Sequence, residues 1–307
     1  MSMSRGTAAA IALLSAALAA AGCGFGPGSG VGEVSLTVTR DYGAEQVQPP
    51  TSDEASESDT VMRVLDREAK ISTRYSGGFV QAIDGLEADE RFGHSFDWFF
   101  YVDGVEAPVG AADFALHGGE AIWWDYRNWS AAERVPAVVG SWPQPLLDGY
   151  EGKSHPVALE CRAAGAACAA ARSKLAAAGV VLAAEPSDDA IRVLVGPWAR
   201  LREDPAAAQL EQGPQVSGVF ADFTREAGGY RLHGLDEAGD PARDFGPDAG
   251  LVAATRRFEA PPVWIVSGAT AAGVLAAAGL LDVAHLRDRY AVATEGGPET
   301  PLPVRPS

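Results

Sequence analysis

Residues 121–129 read AIWWDYRNW and residues 97–104 read DWFFYVDG. Both are short aromatic runs set off by the turn formers Asp103-Gly104 and Gly118-Gly119, the composition of strands joined by tight turns. Side chains alternate between the two faces of a sheet. Ile122, Trp124 and Tyr126 therefore share one face, and Trp123, Asp125 and Arg127 the other. In the second run Trp98, Phe100 and Val102 oppose Phe99 and Tyr101. Both faces of one sheet are aromatic, and each needs a cover.

Working outward, VSLTVTRDYG (34–43) alternates apolar and polar residues and predicts a half-buried strand. The stretch Gln46 to Ser58 is polar, holds two prolines and predicts a loop. Asp59 or Thr60 can cap a helix over TVMRVLDREAK, with Val61, Val64 and Leu65 on one stripe. The order strand, loop, helix and several strands predicts an α+β domain over 34–145, with one helix on one sheet. A single helix covers a single face. The remaining aromatics must meet a ligand, another domain or the segment SWPQPLL (141–147). Pattern alone leaves ligand surface and internal contact equally open.

Residues 146–156, LLDGYEGKSHP, read as a linker. Beyond them, over 157–307, strand-like runs (VALEC, VVLAA, IRVLVG, VWIVSG, YAVAT) alternate with Ala-rich helical runs, and SGVFADF with YRLHGLD suggests a hairpin. This predicts a second domain, an α/β sandwich.

The amino terminus is an address. Arg5 precedes an apolar run too short to be a good membrane span, closing on Ala20-Ala21-Gly22-Cys23. The expectation is a lipoprotein signal over 1–23, with Cys23 acylated and a flexible tether over 24–33; cleavage leaving a free Cys23 is the alternative. The body of the protein is then extracytoplasmic, lipid-anchored to the outer face of the cell membrane. In that oxidising setting Cys161 and Cys168 are expected to form a disulfide, closing a short loop at roughly 2–3 kcal/mol of stabilisation. The five histidines are scattered without ligand spacing, and no metal site is expected.

With 24 basic and 41 acidic residues the net charge is −17, which argues against a nucleic-acid partner and against electrostatic attachment to anionic lipid. The sequence has no Gly-x-Ser-x-Gly elbow, no His-Glu-x-x-His and no phosphate loop. Gly196-Pro197-Trp198, Ser267-Gly268 and the pair His94 and Asp97 read more simply as turns and polar surface, so no catalytic residue and no enzyme is expected. The Ala-rich composition suits a high-GC actinobacterial source.

The stretches TVMRVLD, RYSGGFVQAIDGL, DWFFYVDGVEA and GAADFALHGGEAIWWDYRNW, within 34–129, resemble the domain of unknown function numbered 4430. That family is related to the carboxy-terminal β-grasp domain of the cobalamin carriers transcobalamin and intrinsic factor. In those carriers FVQAIDGL (79–86) and DWFFYVDG (97–104) have counterparts on the corrin-facing surface. The resemblance implies a β-grasp-like fold and a ligand surface made by Phe79, Gln81, Phe99, Tyr101 and Trp123. It implies a binding lipoprotein that captures a cobalamin-like or other bulky ligand for a membrane importer. No cofactor is implied as covalently held, and the chain has no helical barrel to form the carriers' other wall. The competing expectation is a non-catalytic interaction module whose aromatic face docks another envelope protein or its own second domain.

Overall fold

The computed structural model describes residues 30–91, 93–162, 165–185 and 187–305. The signal segment, Cys23 and the first part of the tether lie outside the described residues. Over the described residues the fold is mixed α/β, with four sheets and few helices.

The first half opens with β1 (Gly30–Arg40) paired antiparallel to β2 (Glu45–Ser56). Helix α1 (Val61–Glu68) follows, its Thr60 hydroxyl accepting the Arg63 N–H. A small sheet holds β3 (Ile71–Arg74), β4 (Phe79–Ile83) and β5 (Leu86–Glu87). The main sheet is completed by β6 (Asp89–Arg91), β7 (His94–Val102), β8 (Val105–Glu106) and β9 (Ala121–Asn128). Its order is β2-β1-β9-β7-β6, with β8 beside β7 and with β1 and β9 parallel at the centre.

Two expectations need correction here. Residues 30–33 are not tether: Gly30 and Glu33 pair with Ser56 and Glu54. Residues 46–56 are not loop but most of β2. Proline cannot donate to a ladder, yet an edge strand tolerates it at an irregularity. The register slips between Leu36↔Thr51 and Val38↔Gln48, across Pro49 and Pro50.

One face of the main sheet presents Val34, Leu36, Val38, Trp98, Ile122, Trp124 and Tyr126, packed with Val61, Val64 and Leu65 of α1. The charged ends of α1 point outward, and Arg67 bridges Asp53 and Asp59. This is the single-helix cover that the periodicity of TVMRVLDREAK implies.

The second half contains β10 (Val157–Cys161), α2 (Ala166–Ala177), β11 (Ile191–Pro197) and the short α3 (Trp198–Leu201). After α4 (Pro214–Ser217) come β12 (Ala221–Glu226), β13 (Gly229–Leu235) and β14 (Pro241–Asp244), an antiparallel sheet of their own. Then follow β15 (Gly250–Thr255), β16 (Val263–Gly268), α5 (Ala271–Gly279), α6 (Val283–Leu286), β17 (Ala291–Thr294) and β18 (Thr300–Leu302). The large sheet runs β10-β11-β16-β15-β17-β18, with β10, β11 and β16 parallel. The expected strand VVLAA is absent; Leu182 makes only an isolated bridge to Val157.

Alternation sorts this sheet too. Val193, Val195, Trp264, Val266 and Val252 meet α2 and α5 on one side, while Leu194, Ile265, Leu251 and Ala253 face the other. Cys161, at the end of β10, is bonded to Cys168 in α2, with Cα atoms 5.8 Å apart. Residues 146–156 are not free chain: Leu146 and Tyr150 are buried with Val139 and Trp142 in the cluster beneath α2 and α5.

Candidate functional site

The second face of the first sheet is the natural place to look, because it carries polar groups that a packed core normally excludes. Asp125 of β9 is fully buried. Its Oδ1 accepts the Thr39 hydroxyl at 2.6 Å and the Gly43 N–H at 3.0 Å; its Oδ2 accepts the Tyr42 N–H and the Tyr290 hydroxyl, each at 3.0 Å. Thr39 in turn accepts the Trp123 indole N–H at 2.7 Å. Burial pushes the Asp125 carboxyl up to about 6, against the pull of these donors and of the Arg127 guanidinium. Arg127, equally buried, donates to the carbonyls of Ala132 and Glu133 and lies 3.7 Å above the Phe99 ring.

Tyr290 comes from the second half of the chain. Its ring stands edge-on to Tyr42, Tyr101 and Trp123 at 4.9, 5.6 and 5.3 Å. The segment leading to it threads through a passage with no room for side chains. A Cβ on Gly43 would fall 2.0 Å from the Asp288 carbonyl, and one on Gly140 would fall 2.5 Å from the Trp123 ring and 2.8 Å from the Arg289 nitrogen. Backbone bonds from Asp288 N–H to Gly140 and from Val139 N–H to Tyr290 hold it there. Around this contact Trp198, Phe220, Phe223 and Leu232 extend the same core into the second half. The aromatic face is thus occupied by the chain's own second half.

The candidate ligand residues separate into two groups. Tyr101 and Trp123 are buried, 0% and 3% exposed, inside the contact just described. Phe99 is half-buried under Arg127. Gln81 is half-buried, with its backbone carbonyl accepting the Ala88 N–H. Phe79 is 40% exposed, and beside it Tyr75 is 83% exposed in a left-handed backbone conformation (φ 52°). The two that stay together on accessible surface are Phe79 and Phe99, which line a groove of about 210 Å³ on the outer side of the first half.

Trp98, Phe99 and Phe100, three successive residues of β7, line that groove with Glu106 and Trp124. Because alternate side chains leave opposite faces, three in a row mean that the groove runs along a strand's backbone edge. The pairing explains why that edge is open. The β6 ladder stops at Asp89↔Phe96 and the β8 ladder begins at Tyr101↔Glu106. Between them, among the described residues, β7 has a strand partner only on its β9 side. This gap has no signature in residue type, since it depends on where two short neighbours end. The exposed aromatics in YSGGF were the one available signal.

Two further cavities adjoin the first sheet. A crevice of about 400 Å³ lies between the halves, walled by Thr37, Trp123 and Trp142 on one side and Val283, Arg287 and Asp288 on the other. A polar pocket of about 140 Å³ holds Asp103, Glu120 and His117. Burial pushes Asp103 up to about 7, and Glu120 is also raised by burial although it accepts the His117 N–H at 2.7 Å. No group of three or more His, Cys, Asp or Glu able to hold a metal ion occurs among the described residues.

Residues 58–128 match a family model described as Domain of unknown function (DUF4430). The match falls within the segment that resembles that family by sequence and contains α1, β7, β9 and the groove. No curated protein matches the chain. Among solved structures the chain is similar to a crystal structure of a protein from Ruminococcus gnavus ATCC 29149, provisionally described as metal binding. The similarity has 17% identity and a TM-score of 0.25, and covers 32% of this chain and 97% of that one.

Proposed function

We propose that this chain is a non-catalytic binding protein, held outside the cytoplasmic membrane through Cys23, whose ligand seat is the groove beside β7. The carrying observation is the groove itself: an apolar trough on an open strand edge, with exposed Phe79 in its lining and exposed Tyr75 packed edge-on against Phe79. Exposed aromatics at a concave apolar site are what a ligand surface requires. The strand order with parallel β1 and β9 at its centre fits a β-grasp arrangement, in keeping with the cobalamin-carrier resemblance. The second half then serves as the support that closes the sheet's other face.

The neutral apolar probe N-phenyl-1-naphthylamine tests this seat. Its fluorescence should rise saturably with the soluble chain and the rise should be lost in Phe79→Ala. A response unchanged by that substitution would remove the groove from consideration. Incorporation of labelled palmitate, abolished by Cys23→Ala, checks the anchor.

One observation favours a second reading. The crevice between the halves places Trp123 against residues of the second half, the between-domain position that the carriers use. At about 400 Å³ it suits a drug-sized molecule rather than a whole corrin. A cobalamin laid on Tyr101 and Trp123 would need Tyr290 and its neighbours to withdraw. Saturable Trp quenching by cobalamin, lost in Trp123→Phe, would support capture for an importer; absence of quenching up to about 1 mM, a Kd limit near −4 kcal/mol, would discard it.

A further inference from the structure

The groove's backbone chemistry says more about its occupant than its apolar lining does. Tyr126, opposite Trp98 on β9, gives its carbonyl to Asp41 on the β1 side. Trp98 and Tyr126 are therefore a non-hydrogen-bonded antiparallel pair, and the backbone groups of Trp98 and of Phe100, two residues on, point away from β9 into the gap. The Trp98 N–H is taken by its neighbour, the Asp97 carboxylate, at 2.8 Å. That leaves the Trp98 carbonyl and both backbone groups of Phe100 aimed into the groove, and of these the Trp98 carbonyl and the Phe100 N–H flank Phe99. A strand adding in the parallel sense sets the N–H and C=O of one residue on just such a flanking pair.

The side chains around the gap are sorted by the same alternation. Asp97, Phe99 and Tyr101 leave one face of β7, and Glu106, across from Tyr101, lies on that face with them. Trp98 and Phe100 leave the other face, toward Met62 and Trp124. The residue that pairs with Phe99 would thus send its side chain between two carboxylates, and its two neighbours would send theirs into the apolar trough. Glu106 has an ion pair to Arg134 at 3.0 Å, whose own side chain is largely exposed, and it also feels Arg127, which lies over the Phe99 ring. Asp97 has no ion pair among the described residues, with Arg74 the cation that acts on it from a distance. Burial raises both carboxyls, so each gains from a nearby cation.

We propose that the gap in the β7 edge binds an extended peptide segment of the pattern apolar–basic–apolar, one residue of which pairs in parallel with Phe99 while its Lys or Arg side chain meets Asp97 and Glu106. This rests on the groove being the ligand seat. The segment is a peptide of another protein, selected by charge complementarity to Asp97 and Glu106 and by apolar side chains that suit the trough.

The test uses the soluble chain and the fluorescein-labelled peptide Gly-Leu-Lys-Phe-Gly, read by fluorescence anisotropy. Saturable binding is expected. Methylating the backbone nitrogen of the lysine, which removes the N–H meant for Trp98, should weaken it at least ~10-fold, the size of one buried hydrogen bond. Replacing that lysine by glutamate should weaken it comparably, and Asp97→Asn should shrink the difference between the lysine and glutamate peptides. No saturable binding up to about 1 mM, or equal affinity for the N-methylated peptide, overturns the inference. The naphthylamine response keeps the two readings apart. If Phe79→Ala removes that response while N-methylation has no effect on the peptide, the groove remains the seat and only its peptide occupant falls.

Discussion

The two faces of the first sheet carry similar aromatic weight and end up with opposite chemistry. The α1 face holds Trp98, Trp124 and Tyr126, with Phe96 and Phe114, in a core of apolar side chains. The other face holds Tyr101 and Trp123 around a buried aspartate, a buried arginine and a threonine, with a tyrosine hydroxyl delivered from 165 residues away. A face closed by its own local helix needs only shape. A face closed by a distant partner gains from polar groups that fit one docking and no other, because any misplacement deprives buried Asp125 of the Tyr290 hydroxyl. The groove at the β7 edge is a third case, aromatic and left open.

Breaking the docked face should have the largest effect. Trp123→Ala removes a buried indole from between the halves and is expected to destabilise the protein by ~3–5 kcal/mol in urea unfolding. A loss below ~1 kcal/mol would mean that the two halves do not depend on each other there.

The pH dependence sharpens the contrast, since Asp59, the buried carboxylate beside α1, is held below its ordinary value, its burial outweighed by hydrogen bonds from Arg67 and Ser56. Folding raises Asp125 from the ordinary aspartate value of 3.8 to about 6, so between those values the folded state holds the extra proton. Its contribution is fully present below about pH 4 and is lost as pH rises through 6, on the order of 3 kcal/mol at most. Asp103, raised to about 7, acts in the same direction and extends the window upward. Unfolding free energy measured from pH 4 to 8 should therefore fall, and Asp125→Asn should flatten the part below about pH 6.

Tyr290→Phe keeps the ring and deletes one donor to Asp125, for an expected cost of about 1–2 kcal/mol. Losing that donor also favours the protonated carboxyl, so the fall in stability should move to higher pH. The smallest effect belongs to the open groove: Phe79→Ala, already 40% exposed, should cost under ~1 kcal/mol while abolishing probe binding.

Local patterning was readable where local physics decides. AIWWDYRNW placed Trp123, Asp125 and Arg127 on one face, and TVMRVLDREAK yielded the helix and its cap. Strand β2 was missed because its prolines and charges forbid a central strand, whereas at an edge they are tolerated and even discourage further pairing. VVLAA has strand composition, yet only Leu182 finds a partner. The aromatics on the second face announced that some cover was needed. Nothing near them in sequence named Tyr290, or Gly43 and Gly140, which matter only because a remote segment passes between them. The groove was least legible, being made by the ends of two short ladders rather than by residue type.

The distance between Asp125 and Tyr290 also bears on how the molecule is made. Chains emerge amino terminus first, and domains fold as units as they appear. The first sheet can close once β9 has joined β1, while the residues that cover its second face are still 165 positions away. During that interval Tyr101 and Trp123 form bare apolar surface on a finished sheet, and contacts of such long sequence separation form slowly. The newly made protein thus passes through a stage in which it is most prone to aggregate, and that stage ends when Tyr290 reaches Asp125.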